Sequence, residues 1–556
     1  MVLYDCAMYR WLKDAIDRNA TIITASRRLA RELQAAYAAE QVQAGVRSWV
    51  SPPINFWNDW CRQQFEAAAD PLALPLPLDD SSSSILWERC IRNHVPDGIP
   101  ALSGVIRQAR EAWQRLNDWD VQLAAVTAAA RSTDEQSFAA AAQEYQATLD
   151  AASWTDRACL PRHVASLVSG GQLAVPQEVM LAGFDRVVPA MNRIVEALTA
   201  SGSTVHVAPE PARSPHVRLA ACDDHDAEMR MAGAWAREIL QDEPQSNVAI
   251  ISPLLQSEAH RSARLVREGL APGWQYAGDA HHAAVDVSYG RKLNEYPAIA
   301  TALSLLKWSH QGLTTKEVSL LLRSRCLAAD GAAGRSRLEL ALRKLPDRAW
   351  SVESLLPVLR DKDDSADSLA WFRGMEAIIA LQAEEPQEAS PARWASRVDS
   401  LLKAWGWPGS ATLSSAEFQL DNRWRDLLNE LARTAIVMPQ LRLRDAMQRL
   451  ATLAGEIVFQ PEAAGGMVSL MGTLEAAGME FDHIWVSGMH AGQWPPAGNP
   501  SPLLSRVLQK EFGLPDATPA DTLQFARRVL HRLECSALNL VFYWPPTLIH
   551  HHFAAS

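Results

Sequence analysis

The sequence predicts an α/β protein made of two parallel-sheet lobes, each interrupted by a large α-helical insertion. Two observations carry this expectation. Short apolar runs rich in Val and Ile each lead into a longer helical pattern, as in sheets whose parallel strands are joined by crossover helices. Two long stretches, 61–159 and 298–455, show helical periodicity almost throughout and separate the strand-bearing segments. The 556 residues, 48% hydrophobic, are enough to bury several cores.

Taken in order, the first strand is Thr21–Thr24, followed by an Arg-bearing helix, SRRLARELQAAYAAEQ, with Ser26 placed to cap it. The Ala-rich helical region 61–159 is broken by PLALPLPLDDSSSS, which reads as a surface loop. A strand at 178–183 enters the helix VVPAMNRIVEALTASG and is followed by a strand at 204–208. The next pair is a strand at 247–252 and the helix LLQSEAHRSARLVREGL. After the second helical region come strands at 467–471 and 483–488, a helix around LQFARRVLHRLECSA, and a strand at 538–543. The expected division is 1–60 with 160–215 as a first lobe, 61–159 as its insertion, 216–297 with 456–546 as a second lobe, 298–455 as its insertion, and 547–556 as a tail.

Composition narrows the function. The formal net charge is -11, which excludes a polycationic nucleic-acid coat. The acidity is local: 61–300 holds 20 bases against 30 acids, whereas 301–460 holds 21 against 20. Binding to nucleic acid therefore has to come from local basic grooves. Seven cysteines stand singly, with no CxxC pair, so a zinc ribbon and a thioredoxin-type site are unsupported and a reducing cytoplasm is expected. No apolar run nears a membrane span and the N-terminus lacks a signal-peptide core, so no membrane association is expected. The histidines His550, His551 and His552 read as tail, without a metal assignment. Twenty tryptophans are the unusual count. Trp485, Trp87 and Trp113 fall at apolar positions and read as core. Trp57 and Trp60 also read first as core, although with Trp49 they keep a claim as stacking platforms.

The segment VSLMGTLEAAGMEFDHIWVSGMHAGQWP, 468–495, resembles motif V of superfamily-1 helicases, with the core Gly478-Met479-Glu480-Phe481-Asp482. Gly at such a loop lets backbone N–H groups approach a phosphate or sugar. LAGFDRVVPAMNRIVEAL resembles the motif II–III region, VAIISPLLQSEAHRSARLVREGL motif IV, VSYGRKLNEYPAIATALSLL the entry to the second insertion, and TASRRLARELQAAYAAEQVQAGVRSWVSPP the N-terminal segment of one branch. In this order the motifs resemble a bacterial DNA-repair family related to AddB and RecC, over nearly the whole chain. The resemblance implies two RecA-like, P-loop-type lobes and a C-terminal PD-(D/E)XK nuclease domain, which would begin close to where this sequence stops.

The residues that drive an ATPase are missing from the matched positions. There is no Gly-Lys dipeptide, hence no phosphate loop of the GxxxxGK[ST] kind. Ala182 and Gly183 stand where an acidic pair would hold Mg²⁺, Ala477 where motif V carries Lys, and Cys535 and Ser536 where motif VI carries its Thr-Arg pair. No catalytic residue, metal site or cofactor is expected.

DNA-contact candidates are Arg27, Arg28 and Arg31 at a helix start, with a solvated Arg face as the alternative. Thr473, Glu475 and Gly478 are candidates through the motif V resemblance. Arg323 and Arg325, with Arg335, Arg337 and Arg343, form a basic cluster in the second insertion, again with a solvated face as the alternative. The expectation is a non-catalytic, helicase-like DNA-binding subunit that acts on single-stranded or forked DNA with a superfamily-1 motor or nuclease partner in double-strand-break processing. The rivals are the N-terminal part of a metal-dependent nuclease, and a helical interaction scaffold without nucleic acid.

Overall fold

The computed structural model describes residues 9–68, 73–95, 102–276, 284–327, 332–363, 365–383, 388–409, 412–461, 466–490 and 492–544. The three C-terminal histidines lie outside them. The chain forms two compact units.

The first unit comprises 1–78, 87–289 and 463–556 and holds two main parallel sheets, besides a two-residue parallel pair of Leu76–Pro77 with Trp154–Thr155. The smaller sheet has strands β1 (Thr21–Thr24), β2 (Ile54–Phe56), β3 (Glu178–Ala182) and β4 (Thr204–Val207), in the order β2-β1-β3-β4. Its register sets Ile22 against Met180 and Leu181 against Val207. The larger sheet has β5 (His216–Ala221), β6 (Val248–Ile251), β7 (Val285–Val287), β8 (Val468–Met471), β9 (Phe481–Val486) and β10 (Ala537–Trp544), in the order β5-β10-β9-β6-β8-β7. All five pairings are parallel, so the two sheets share the architecture expected from strands alternating with helices.

Five helices matter below: α1 (Arg27–Gln43), α2 (Leu102–Asp118), α3 (His225–Asp242), α4 (Leu255–Leu270) and α5 (Pro519–Cys535). The start of α1 is set by its sequence: Ser26 is extended and its side chain accepts from Leu29 N at 3.1 Å.

One apolar cluster runs through both lobes. Ile22, Leu29, Met180 and Ala182 of the first lobe pack with Ile251, Met471, Met479 and Val486 of the second, all buried. Around this shared core lie two one-lobe cores: Trp60, Val164 and Leu181 behind the small sheet, and Trp485, Val248 and Val266 behind the large one.

The second unit, 79–86 with 290–462, is a helical bundle carrying only two-residue strands among its described residues. Its core is rich in tryptophan: Trp308, Trp371 and Trp405 cluster, with the last two edge to face at 4.8 Å. The polar ends of buried indoles are supplied by backbone, as Trp394 donates to Leu441 O at 2.7 Å and Trp407 to Ala298 O at 2.8 Å. Trp485, Trp87 and Trp113 are buried, as their apolar surroundings predict. Trp60 is buried as well. Trp57 is half-buried and stacked on it at 5.9 Å, and Trp49 is half-buried.

One sequence expectation is corrected. The run Ser81–Ser84 is no surface loop: Asp80–His94 is a helix and all four serines are buried. Asp79 starts the helix by accepting from Ser82 N at 2.7 Å, and small side chains let the turn sit against its surroundings.

A carboxylate–imidazole pair in the second lobe makes its stability depend on pH. Glu228 of α3 is fully buried and its carboxylate accepts from Trp485 Nε1 at 3.4 Å. His225 Nδ1 lies 3.2 Å from it, and Nε2 lies 3.8 Å from Glu258. The hydrogen bond to Glu228 raises the His225 pKa above its usual value; burial opposes this, and the charges of Glu228, Glu258 and Asp226 add to it. A raised folded-state pKa means the stabilisation is fully present below the unfolded pKa of about 6.5 and is lost as pH rises through the folded value. His225→Gln should flatten that slope, so the wild-type advantage in urea midpoint should be larger at about pH 6 than at about pH 8. Equal advantages at both would refute the assignment.

Candidate functional site

The C-terminal ends of parallel strands are where α/β proteins of this kind hold ligands. Here the ends of β1 and β3 in one sheet meet those of β8 and its loop in the other.

From β1 the chain enters α1 through only Ala25 and Ser26. Thr24 Oγ1 donates to Ser26 O at 2.9 Å, and Ala25 N donates to Ala182 O at 3.0 Å. A two-residue turn closed in this way has no loop of free N–H groups to cradle a phosphate.

The loop after β3 and the loop after β8 touch through two glycines. Gly183 has φ +75° and Gly478 has φ +73°, both in the left-handed region. A Cβ on Gly478 would lie 2.9 Å from Gly183 Cα, and one on Gly183 would lie 2.9 Å from Ala477 O. Only glycine at both positions allows this backbone approach.

Beside this contact, Arg532 of α5 reaches inward. It is 5% exposed, donates from Nη2 to Thr473 O at 2.9 Å, and forms an ion pair with Asp185 of the β3 loop. Burial pulls its pKa down to about 10, so it keeps its charge at neutral pH. Arg528 adds a hydrogen bond to Asp185 O at 2.7 Å, and Arg186 pairs with Asp521 at 3.0 Å. Cys535 and Ser536 stand where motif VI carries its Thr-Arg pair; one turn earlier, Arg532 holds a carboxylate of the protein itself. A signal for it existed: Arg532 falls on the face of α5 that buries Ala526, Val529 and Leu533.

The candidate residues fall into three groups. Thr473, Glu475 and Gly478 lie together in the β8 loop, engaged with the protein. Thr473 is buried with its carbonyl held by Arg532, and Glu475 accepts from Gly472 N at 2.9 Å and from Ser288 Oγ. Arg27 pairs with Asp59 through two hydrogen bonds, at 2.8 and 2.9 Å. Arg28 joins the lobes by pairing with Asp286 at 2.7 Å and donating to Ser469 Oγ at 3.0 Å. Beside them, burial pushes the Glu32 carboxyl up; Arg28 opposes the shift and Asp286 reinforces it. Arg31 is exposed, with no ion pair among the described residues.

In the second unit Arg323 donates to Ser319 O at 3.3 Å, and Arg325, 88% exposed, stands 3.7 Å from Glu417. Arg335 donates to Ser324 O at 2.6 Å, Arg337 pairs with Asp363 at 2.9 Å, and Arg343 pairs with Glu339 at 2.8 Å. Most of this basic cluster is thus neutralised by nearby acids or spent on backbone.

The arrangement defines a two-lobe parallel α/β body whose seam is closed by its own glycines, ion pairs and core. Among the described residues no three His, Cys, Asp or Glu side chains are grouped to hold a metal, and no helix is long and apolar enough to cross a membrane. No family model and no curated protein matches the chain.

Proposed function

We propose that this chain is an AddB- or RecC-like helicase body without motor activity: a DNA-binding subunit that holds single-stranded or forked DNA for a superfamily-1 motor or nuclease partner during double-strand-break processing. The observation that carries the reading is the seam. Where a motor of this architecture would hold nucleotide phosphates, the chain has a two-residue turn, a Gly183–Gly478 contact and Arg532 paired with Asp185. The order of the motif-like segments supports the helicase ancestry of the body, and among the candidates Arg27, Arg31, Arg323 and Arg325 are exposed, Arg27 being paired with Asp59.

Because several of the candidate arginines are already paired with carboxylates, binding through them rests on a small number of phosphate contacts. Fluorescence anisotropy with a labelled forked duplex should show binding at low salt, with log K falling linearly in log salt at a slope of about -0.7 to -0.9 per phosphate neutralised. No binding to forked or single-stranded DNA at low salt would refute the reading and favour a protein-interaction scaffold.

A further inference from the structure

We infer that the cleft between α2 and the loop 499–502 is a seat for a phosphate of a nucleic-acid strand, an inference that rests on the DNA-binding function proposed above. The cleft measures about 390 Å³ and is lined by Arg107, Gln108, Glu111 and Arg115 of α2, Gln256 at the start of α4, and the loop residues Asn499 to Pro502. These are mostly polar hydrogen-bonding side chains, which suits an anion better than an apolar ligand.

The walls are built before any ligand arrives. The fully buried Gln509 accepts from Ser501 N at 3.0 Å and donates to Ser501 O at 2.9 Å and Leu504 O at 2.7 Å. Arg115 clamps the loop to α2 through two hydrogen bonds to Asn499 O, both 3.2 Å, and Trp119 Nε1 donates to Gly513 O at 3.0 Å.

Gln509 thus satisfies the backbone of Ser501 and leaves its side chain alone. Ser501 is 6% exposed, lines the cleft, and its Oγ has no hydrogen-bond partner among the described residues. A buried hydroxyl held rigidly without a partner is costly unless a ligand supplies one. Two guanidiniums stand against one carboxylate, Glu111, whose contact with Arg107 is loose at 4.0 Å, so the lining carries a net single positive charge. Guanidinium, hydroxyl and amide donors around one small cleft are the groups that position a phosphodiester backbone without reading its bases.

The test is anisotropy on the full chain with a labelled single-stranded oligonucleotide at low salt, comparing wild type, Arg107→Gln and Ser501→Ala. Arg107→Gln should weaken binding about tenfold and reduce the salt slope by about 0.7, and Ser501→Ala should weaken it about threefold. Ser501→Ala should not lower the melting temperature, because its hydroxyl bonds nothing in the protein and its removal relieves a buried unpaired group. If wild type binds and both variants bind equally well, the strand lies elsewhere; the phosphate seat is then overturned while DNA binding stands. If wild type does not bind, both fall. Inorganic phosphate displacing the oligonucleotide stoichiometrically at constant ionic strength would identify a small anion as the ligand and overturn the strand assignment.

Discussion

Arg532→Ala should destabilise the two-lobe unit by about 3 to 5 kcal/mol, among the largest effects of any side-chain truncation in the chain. The residue is 5% exposed, and its removal leaves the Asp185 carboxylate and the Thr473 carbonyl in a low-dielectric seam without their partner. Much of that cost is the charge left behind, so replacing both partners with apolar residues should recover a large part of it. Arg532→Met combined with Asp185→Leu should therefore be more stable than Arg532→Ala alone. Because the protein has two units, the effect is best read as lost hydrogen-exchange protection in β3 and β8 as well as in the denaturant midpoint. Unchanged protection in both strands after Arg532→Ala would mean that the ion pair does not hold the seam.

Alanine at either glycine of the seam should cost about 2 to 4 kcal/mol. At Gly478 the new methyl would meet the Cα of Gly183 at 2.9 Å, and at Gly183 it would meet Leu29 Cδ2 at 2.6 Å and the Ala477 carbonyl at 2.9 Å. The left-handed backbone at φ +73° and +75° adds its own penalty for any L side chain. Backbone cannot yield as a flexible side chain can, so the lobes must separate or the loops must shift. Since the two glycines share one contact, the double alanine variant should be less destabilised than the sum of the singles, by an amount a double-mutant cycle resolves. Strict additivity would show that the close approach is not shared.

The strands expected from sequence are β1, β3, β4, β6, β8, β9 and β10, and all of these but the edge strand β4 sit in sheet interiors. β5, an edge strand like β4, is not evident from the sequence. Val217 and Leu219 are exposed and His216 and Arg218 alternate with them, so its pattern is neither buried nor cleanly amphipathic. β2 and β7 are three residues long, below the length at which periodicity carries information. The serine run 81–84 misled because serine is a turn former on average, and only its neighbours show that it is packed.

The site was legible in part. The lack of a phosphate loop is a property of the sequence alone, and so is the glycine in the motif V-like loop. That the two loops close on each other is not, since Gly183 and Gly478 are brought together only by the tertiary fold. Arginine patterning was the weakest guide. Arg27, Arg28 and Arg337 find carboxylates 32, 258 and 26 residues away, and no local count of charge can anticipate such partners.

Titration of the purified chain with ATP and magnesium in a calorimeter tests the closed seam most directly. A closed seam should give no binding in the micromolar range, with heats equal to dilution. Stoichiometric binding at micromolar affinity would contradict it, because the seam would then have to open around a nucleotide that its residues leave no means to hold.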